Sequence, residues 1–118
     1  EPDCRELVRT VLADAKATVS TAGSADEGLE LVKSLRPDVI VSDIGMPLPD
    51  GHEFMRDVRT LSADRGGKTP AIALTAFARS EDRTRAMLAG YQVHVSKPIE
   101  PEELVATVKS LAETRFGR

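Results

Sequence analysis

The sequence is poor in the features that mark several large classes of protein. It contains one cysteine, Cys4, so no internal disulfide can form, which is typical of a protein in the reducing cytoplasm. No apolar run approaches the roughly 20 residues of a membrane helix, and no signal peptide is visible. The net charge of −3 gives no electrostatic reason to expect nucleic-acid binding. These absences predict a cytoplasmic protein with no membrane insertion and no nucleic-acid partner.

Motifs for nucleotides and zinc are missing as well. Neither G-x-G-x-x-G nor a Walker sequence occurs, which argues against dinucleotide or nucleoside triphosphate binding. The two histidines, His52 and His94, and the single cysteine lack the spacing of zinc ligands. What is present is a composition of 41% hydrophobic and 30% charged residues over 118 residues. That composition and length predict one globular domain over residues 1–118 with a modest core.

Helical and extended patterns alternate along the chain. The predicted helices span residues 2–15, 24–36, 52–61, 80–90 and 101 onwards, and the predicted strands span 17–22, 38–43, 71–75 and 91–97. Ser24 and Glu27 have the spacing of a capping box, and the polar segment 62–69 is interpreted as a flexible surface loop. Strand 38–43 is apolar without alternation, which indicates burial on both faces. This order predicts an α/β fold with a doubly wound parallel sheet.

A polar residue ends each of the last three predicted strands. Asp43 closes the first of them, Thr75 the second and Lys97 the third. The carboxyl ends of parallel strands meet in one crevice of an open sheet, so these three residues should lie together. A carboxylate, a hydroxyl and an ammonium suit a phosphoryl group, which the first can receive and the others can hold.

The motifs around these residues resemble the receiver domain of two-component response regulators. The resemblance is carried by VSDIGMPLPDG at residues 41–51, ALTA at 73–76 and SKP at 96–98, and it covers essentially the whole chain. It implies the flavodoxin-like receiver fold, whose five parallel strands have the order 2-1-3-4-5, an order that is general to such folds. It also implies a phosphoacceptor module that takes a phosphoryl group from a phosphohistidine.

The resemblance assigns roles residue by residue. Asp43 would be the nucleophile and phosphoacceptor, Thr75 would hydrogen-bond a phosphoryl oxygen, and Lys97 would pair with another. Asp43 and the backbone carbonyl of Gly45 would bind Mg²⁺. The peptide between Lys97 and Pro98 would be cis.

Two departures from the family pattern stand out. The family places its first strand and an acidic pair directly before the first helix, and neither precedes that helix here. We therefore expect an N-terminally incomplete receiver domain, in which Mg²⁺ binding is weak or absent. His94 occupies the position where the family often carries a tyrosine or phenylalanine that rotates on activation.

Alternatives remain at this point. A degenerate receiver that acts as a phosphorylation-independent interaction module would also lack the acidic pair. An aspartate-nucleophile phosphatase is disfavoured, because Gly45 stands where those enzymes place a second aspartate. For the receiver we expect a histidine kinase or histidine phosphotransfer domain as partner, with a homodimer left open. We expect no stand-alone enzyme beyond its own phosphotransfer and dephosphorylation, and residues 90–104 resemble the C-terminal receivers of hybrid histidine kinases.

Overall fold

A computed structural model of the chain describes residues 2–43, 50–75 and 80–116. Helices and strands alternate as predicted after residue 38. The elements are α1 Pro2–Asp14, α2 Ala25–Leu35, β1 Ile40–Asp43, α3 Asp50–Arg59, β2 Ala71–Thr75, α4 Ser80–Ala89, β3 Val93–Ser96 and α5 Pro101–Phe116, with a short 3₁₀ turn at Ala63–Arg65. Helix α3 begins and ends two residues earlier than predicted. Within the described ranges, no helix combines the length and the hydropathy that crossing a bilayer requires.

The described sheet has three parallel strands in the order β1-β2-β3. The register pairs Asp43 with Leu74 and Thr75 with Ser96. The carboxyl ends of all three strands therefore lie at one edge of the sheet. This arrangement is the part of the predicted doubly wound receiver fold that follows its first two strands.

Apolar residues cover both faces of the sheet. One face buries Met55, Val58 and Tyr91 against α2, α3 and α4, and the other buries Leu74 and Val95 near α1 and α5. All five residues of β2 are buried, as expected for a strand with helices on both sides. Each fully buried aliphatic side chain contributes about 1.5–3 kcal/mol, so this double packing fixes the position of the strand ends.

The prediction of a strand at residues 17–22 is wrong. These residues form no strand, and most of their side chains are exposed. A strand exists through its partner's hydrogen bonds, and in the predicted strand order its neighbour is the first strand, which the described residues do not include. Instead, α1 holds the segment: Ala17 N donates to Leu12 O at 3.0 Å, and Arg5 Nη1 donates to Ala22 O at 3.1 Å.

The predicted capping box at the start of α2 is confirmed, except that one of its two hydrogen bonds is displaced by one residue. Ser24 Oγ accepts from Glu27 N at 3.2 Å, whereas the Glu27 carboxylate accepts from Gly23 N at 2.8 Å, one residue before the cap. The helix ends with Arg36 in the left-handed region, at φ 49°. These local signals were readable in the sequence because their partners lie within four residues.

The segment 62–69 is only partly the surface loop that was predicted. Residues 62–65 and Lys68 are exposed, but Gly66, Gly67 and Thr69 are buried. Gly66 has φ +102°, and a Cβ on Gly67 would lie 1.9 Å from Leu61 O. The glycines therefore serve a tight, buried turn between α3 and β2, because any side chain at Gly67 would collide with the backbone.

Candidate functional site

Asp43 and Lys97 form an ion pair at the carboxyl edge of the sheet. Lys97 Nζ lies 2.7 Å from Asp43 Oδ2, and the two side chains are 22% and 18% exposed, respectively. Lys97 follows β3 directly, and its backbone N donates to Thr75 O at 2.8 Å, which fixes where its side chain begins. The peptide between Lys97 and Pro98 is cis, as predicted. The predicted contact between the carboxylate and the ammonium is thus confirmed.

Thr75 ends the strand between Asp43 and Lys97. It is 2% exposed, and its backbone carbonyl is the acceptor for the Lys97 amide. The sheet therefore brings all three predicted residues to one edge, on neighbouring strands. The Asp43 carboxylate remains partly open to solvent, and the ammonium beside it offsets negative charge at this edge.

The predicted metal ligands are only partly within the described residues. Asp43 supplies a partly buried carboxylate oxygen, which is a donor type that Mg²⁺ prefers. Gly45 lies outside the described residues. Among the described residues, no group of three or more His, Cys, Asp or Glu side chains could hold a metal ion. The donor type fits Mg²⁺, but the number of described donors does not complete a site.

His94 lies on β3, three residues before Lys97. Its side chain is partly buried, and its Nε2 has no hydrogen-bond partner among the described residues. In the register of the sheet it stands opposite Ala73, two residues before Thr75. The role of the rotating aromatic residue that the family often has at this position stays untested for His94.

Tyr91, a buried tyrosine near Asp43, was not predicted from the sequence as part of the site. Tyr91 is 2% exposed, and its phenol lies near the side chain of Ser42, the residue before Asp43. Burial raises the pKa of Tyr91 to about 12. The Ser42 side chain and the Arg59 charge oppose the rise, and the Asp43 charge adds to it. Nothing local to Tyr91 in the sequence could have indicated this contact, because its partner lies on a different strand.

The raised pKa of Tyr91 predicts a loss of stability at alkaline pH. An unfolded tyrosine has a pKa near 10.0, whereas the folded one keeps its proton up to about 12. The contribution is therefore complete below about pH 10 and is lost as the pH rises towards about 12, and a pKa difference of about 2 corresponds to about 3 kcal/mol. Urea unfolding across this window should show the wild type losing stability relative to Tyr91→Phe. Parallel pH profiles of the two proteins would contradict the prediction.

Arg59 occupies the opposite end of the sheet. Its guanidinium donates to Gly90 O at 2.7 and 3.0 Å, to Thr69 O at 2.7 Å, to Gly67 O at 3.1 Å and to Gln92 Oε1 at 3.0 Å. Desolvation by burial lowers the pKa of Arg59, and the nearby Tyr91 opposes that shift. One side chain therefore joins the turn before β2 to the turn before β3. It was also missed, since an arginine at a helix end gives no sequence signal of buried carbonyl partners.

Known proteins resemble the chain in both sequence and fold. Residues 1–109 match the response regulator receiver domain family. A 14.6 kDa protein from the sodA1 3' region of Leptolyngbya boryana is 43% identical over 109 residues, which are 92% of this chain and 82% of that protein. Other curated relatives, including regulators from Porphyra and Synechocystis, are longer, and the chain spans about half of their length.

Solved structures agree with this assignment. The Vibrio cholerae chemotaxis protein CheY4 has a TM-score of 0.84 and 32% identity, covering 94% of this chain and 91% of that one. The receiver domain of the sensor histidine kinase PA1611 from Pseudomonas aeruginosa has a TM-score of 0.83 and 25% identity, covering 95% and 90%. The family match extends over the strand-end residues 43, 75 and 97. With the parallel sheet and the ion pair at its carboxyl edge, it shows that the chain belongs to the response regulator receiver domains of two-component systems.

Proposed function

We propose that Asp43 is the phosphoacceptor of this receiver domain and takes its phosphoryl group from a phosphohistidine. The observation that carries the proposal is the ion pair, in which a partly exposed carboxylate at a strand end lies 2.7 Å from Lys97 Nζ. A lone surface aspartate would need no such partner at the end of a strand two places away in the sheet. The same pair argues against a degenerate receiver, because it keeps both the nucleophile and the cation.

The reaction is a nucleophilic displacement at phosphorus. An Asp43 carboxylate oxygen forms the new P–O bond while the P–N bond to the donor imidazole breaks, and the leaving nitrogen keeps the electron pair and takes a proton from solvent. The product is an acyl phosphate on Asp43. Lys97 offsets part of the phosphoryl charge as a point cation, and the Thr75 hydroxyl donates to a phosphoryl oxygen.

Magnesium belongs to the proposal as a charge partner. The PA1611 receiver domain carries a magnesium ion in its active site cleft. Here Asp43 and the carbonyl of Gly45 would hold the ion, which when bound shields the phosphoryl oxygens. Since no group of three or more His, Cys, Asp or Glu side chains among the described residues could hold a metal, we expect weak binding by this chain. A magnesium titration followed by NMR shifts at Asp43 measures it.

The partner follows from the chemistry. We infer a histidine kinase or a histidine phosphotransfer domain as the phosphodonor, in the cytoplasm. The proposed origin from a hybrid histidine kinase rests on the sequence resemblance of residues 90–104. Both the inferred phosphodonor and the inferred origin require only that a phosphorylated imidazole can reach Asp43.

The direct test is phosphorylation of the natural full-length polypeptide with acetyl phosphate and magnesium. Intact mass spectrometry should show one added phosphoryl group, which hydroxylamine removes because it is an acyl phosphate. Borohydride reduction followed by peptide mapping should place it on Asp43. A hydroxylamine-stable label, or a label on another residue, would refute the proposal.

A further inference from the structure

One arginine ties together the two segments that lead into β2 and β3. Arg59 Nη1 donates to Gly67 O and Thr69 O, in the turn before β2. Its Nε and Nη2 both donate to Gly90 O, in the turn before β3. A guanidinium has five N–H groups in a planar fork, and the fifth hydrogen bond runs from Nη2 to Gln92 Oε1. The group therefore holds the amino ends of both strands at once.

Gln92 extends the pairing of these two strands beyond the start of β3. Its backbone N donates to Ala71 O at 3.0 Å, and its side-chain Oε1 accepts from Ala71 N at 2.7 Å. Both backbone polar groups of Ala71, the first residue of β2, are thus bonded to the residue that precedes β3. Because Arg59 Nη2 donates to the same Oε1 at 3.0 Å, the guanidinium and the strand pairing form one network.

The backbone around the guanidinium is closely packed. Gly90 has φ +121°, and a Cβ there would lie 2.7 Å from Arg59 Cγ and 3.2 Å from Met55 Cγ. Only glycine combines this backbone conformation with so close an approach. The carbonyl that accepts two of the five hydrogen bonds is therefore held at a fixed position beside the arginine.

The position of each strand along its own axis carries over to its carboxyl end. β2 runs from Ala71 to Thr75, and β3 begins at Val93 and leads into Lys97. A strand rises about 3.3 Å per residue and is already extended, so a slide at its amino end reappears at its carboxyl end roughly 13 Å away. The offset between β2 and β3 therefore sets the offset between Thr75 and Lys97, whose Nζ lies 2.7 Å from Asp43 Oδ2.

The strand pairing by itself is short. The register of β2 and β3 joins four residues of each strand, from Ile72 with Val93 to Thr75 with Ser96. The five bonds of the guanidinium and the side-chain bond of Gln92 are a large addition to so few pairs. They also lie at the end of the strands that faces away from the site, so they can act on the site only through the strands.

We propose that Arg59 is a positioning residue for phosphotransfer. It fixes the axial offset between β2 and β3, and so holds the Thr75 hydroxyl and the Lys97 ammonium level with Asp43. The proposal rests on the proposed function of Asp43. A misplacement of about 1 Å can cost about 100-fold in rate, so a slide of roughly half that size should cost about tenfold.

The test compares four variants of the natural full-length polypeptide at a temperature where each is fully folded. Arg59→Lys keeps the charge but loses the fork that spans both turns, Gln92→Leu removes the shared acceptor, and Gln92→Glu keeps it. Leu12→Ala removes buried volume from α1, which takes no part in the network, and is the control for lost stability. We expect the initial rate of labelling by acetyl phosphate and magnesium to fall about tenfold in Arg59→Lys and about threefold in Gln92→Leu. Gln92→Glu and Leu12→Ala should stay within about twofold of the wild type.

Three outcomes overturn the proposal. A wild-type rate in Arg59→Lys would leave the guanidinium with a purely structural role. An equal loss of rate in Leu12→Ala would assign the effect to lost stability. A loss in Gln92→Glu as large as that in Gln92→Leu would show that the shared acceptor does not matter.

Amide hydrogen exchange tests the strand offset without phosphorylation. The Lys97 amide donates to Thr75 O at 2.8 Å, so its exchange reports how the two strand ends meet. It should exchange faster in Arg59→Lys than in Leu12→Ala, relative to each protein's global stability. Equal exchange in the two variants would overturn the positioning role. A wild-type protein that takes no label on Asp43 overturns the proposed function instead, while the exchange measurement still decides whether Arg59 sets the strand offset.

Discussion

Asp43→Asn is expected to lower phosphorylation by acetyl phosphate by more than about 100-fold, because an amide is a far weaker nucleophile than a carboxylate. The substitution preserves the size of the side chain, and its amide oxygen can still accept from Lys97 Nζ, which lies 2.7 Å from Asp43 Oδ2 in the wild type. The fold should therefore survive, and circular dichroism together with a thermal melt checks that it does. The labelled fraction is measured by intact mass spectrometry.

The matched control is Asp38→Asn. Asp38 is exposed and lies two residues before β1, at the other end of the strand that Asp43 closes. It removes the same charge without touching the carboxyl edge of the sheet, so labelling should stay at the wild-type level. Full labelling of Asp43→Asn, or equal loss in both variants, would place the phosphoacceptor elsewhere.

Arg59→Met should lower the free energy of unfolding by about 3–5 kcal/mol, the largest loss expected from substituting any partly exposed residue. The guanidinium is the donor for three backbone carbonyls, those of Gly67, Thr69 and Gly90. A buried acceptor that loses its donor costs about 1–3 kcal/mol, and methionine fills the volume without donating. A loss of this size is a large share of the 5–15 kcal/mol that typically holds a domain folded. The measurement is the urea midpoint and slope.

Two variants make the Arg59 result interpretable. Arg59→Lys keeps the charge but offers a compact ammonium in place of a planar fork, so it should recover only part of the stability. Arg56→Met removes an exposed arginine from the same helix and should change stability by less than about 0.5 kcal/mol. If Arg59→Met is as stable as Arg56→Met, the carbonyls do not depend on this side chain.

The residues at the carboxyl edge of the sheet were predictable from the sequence because the signal for each residue lies within its own strand. Each of Asp43, Thr75 and Lys97 follows an apolar run, and parallel topology alone brings such ends together. The prediction of a strand at 17–22 was wrong for the opposite reason. Extended residues form a strand only through hydrogen bonds to a neighbouring strand, and the described residues do not include that neighbour. Arg59 and the Ser42–Tyr91 contact join residues 31 and 49 positions apart along the chain. Periodicity reports which face of an element is buried, and it carries no information about which polar groups meet there.

The solitary tyrosine has a spectroscopic consequence. The 118 residues contain one tyrosine and no tryptophan, so the tyrosine absorption and emission of this chain arise from Tyr91, whose phenol lies near Ser42, the residue before Asp43. Phenol emission responds to the hydrogen bond of the hydroxyl and to nearby negative charge, and an acyl phosphate changes the charge at Asp43. We therefore expect the tyrosine emission to change on the proposed phosphorylation of Asp43, a change that can be measured with neither dye nor isotope.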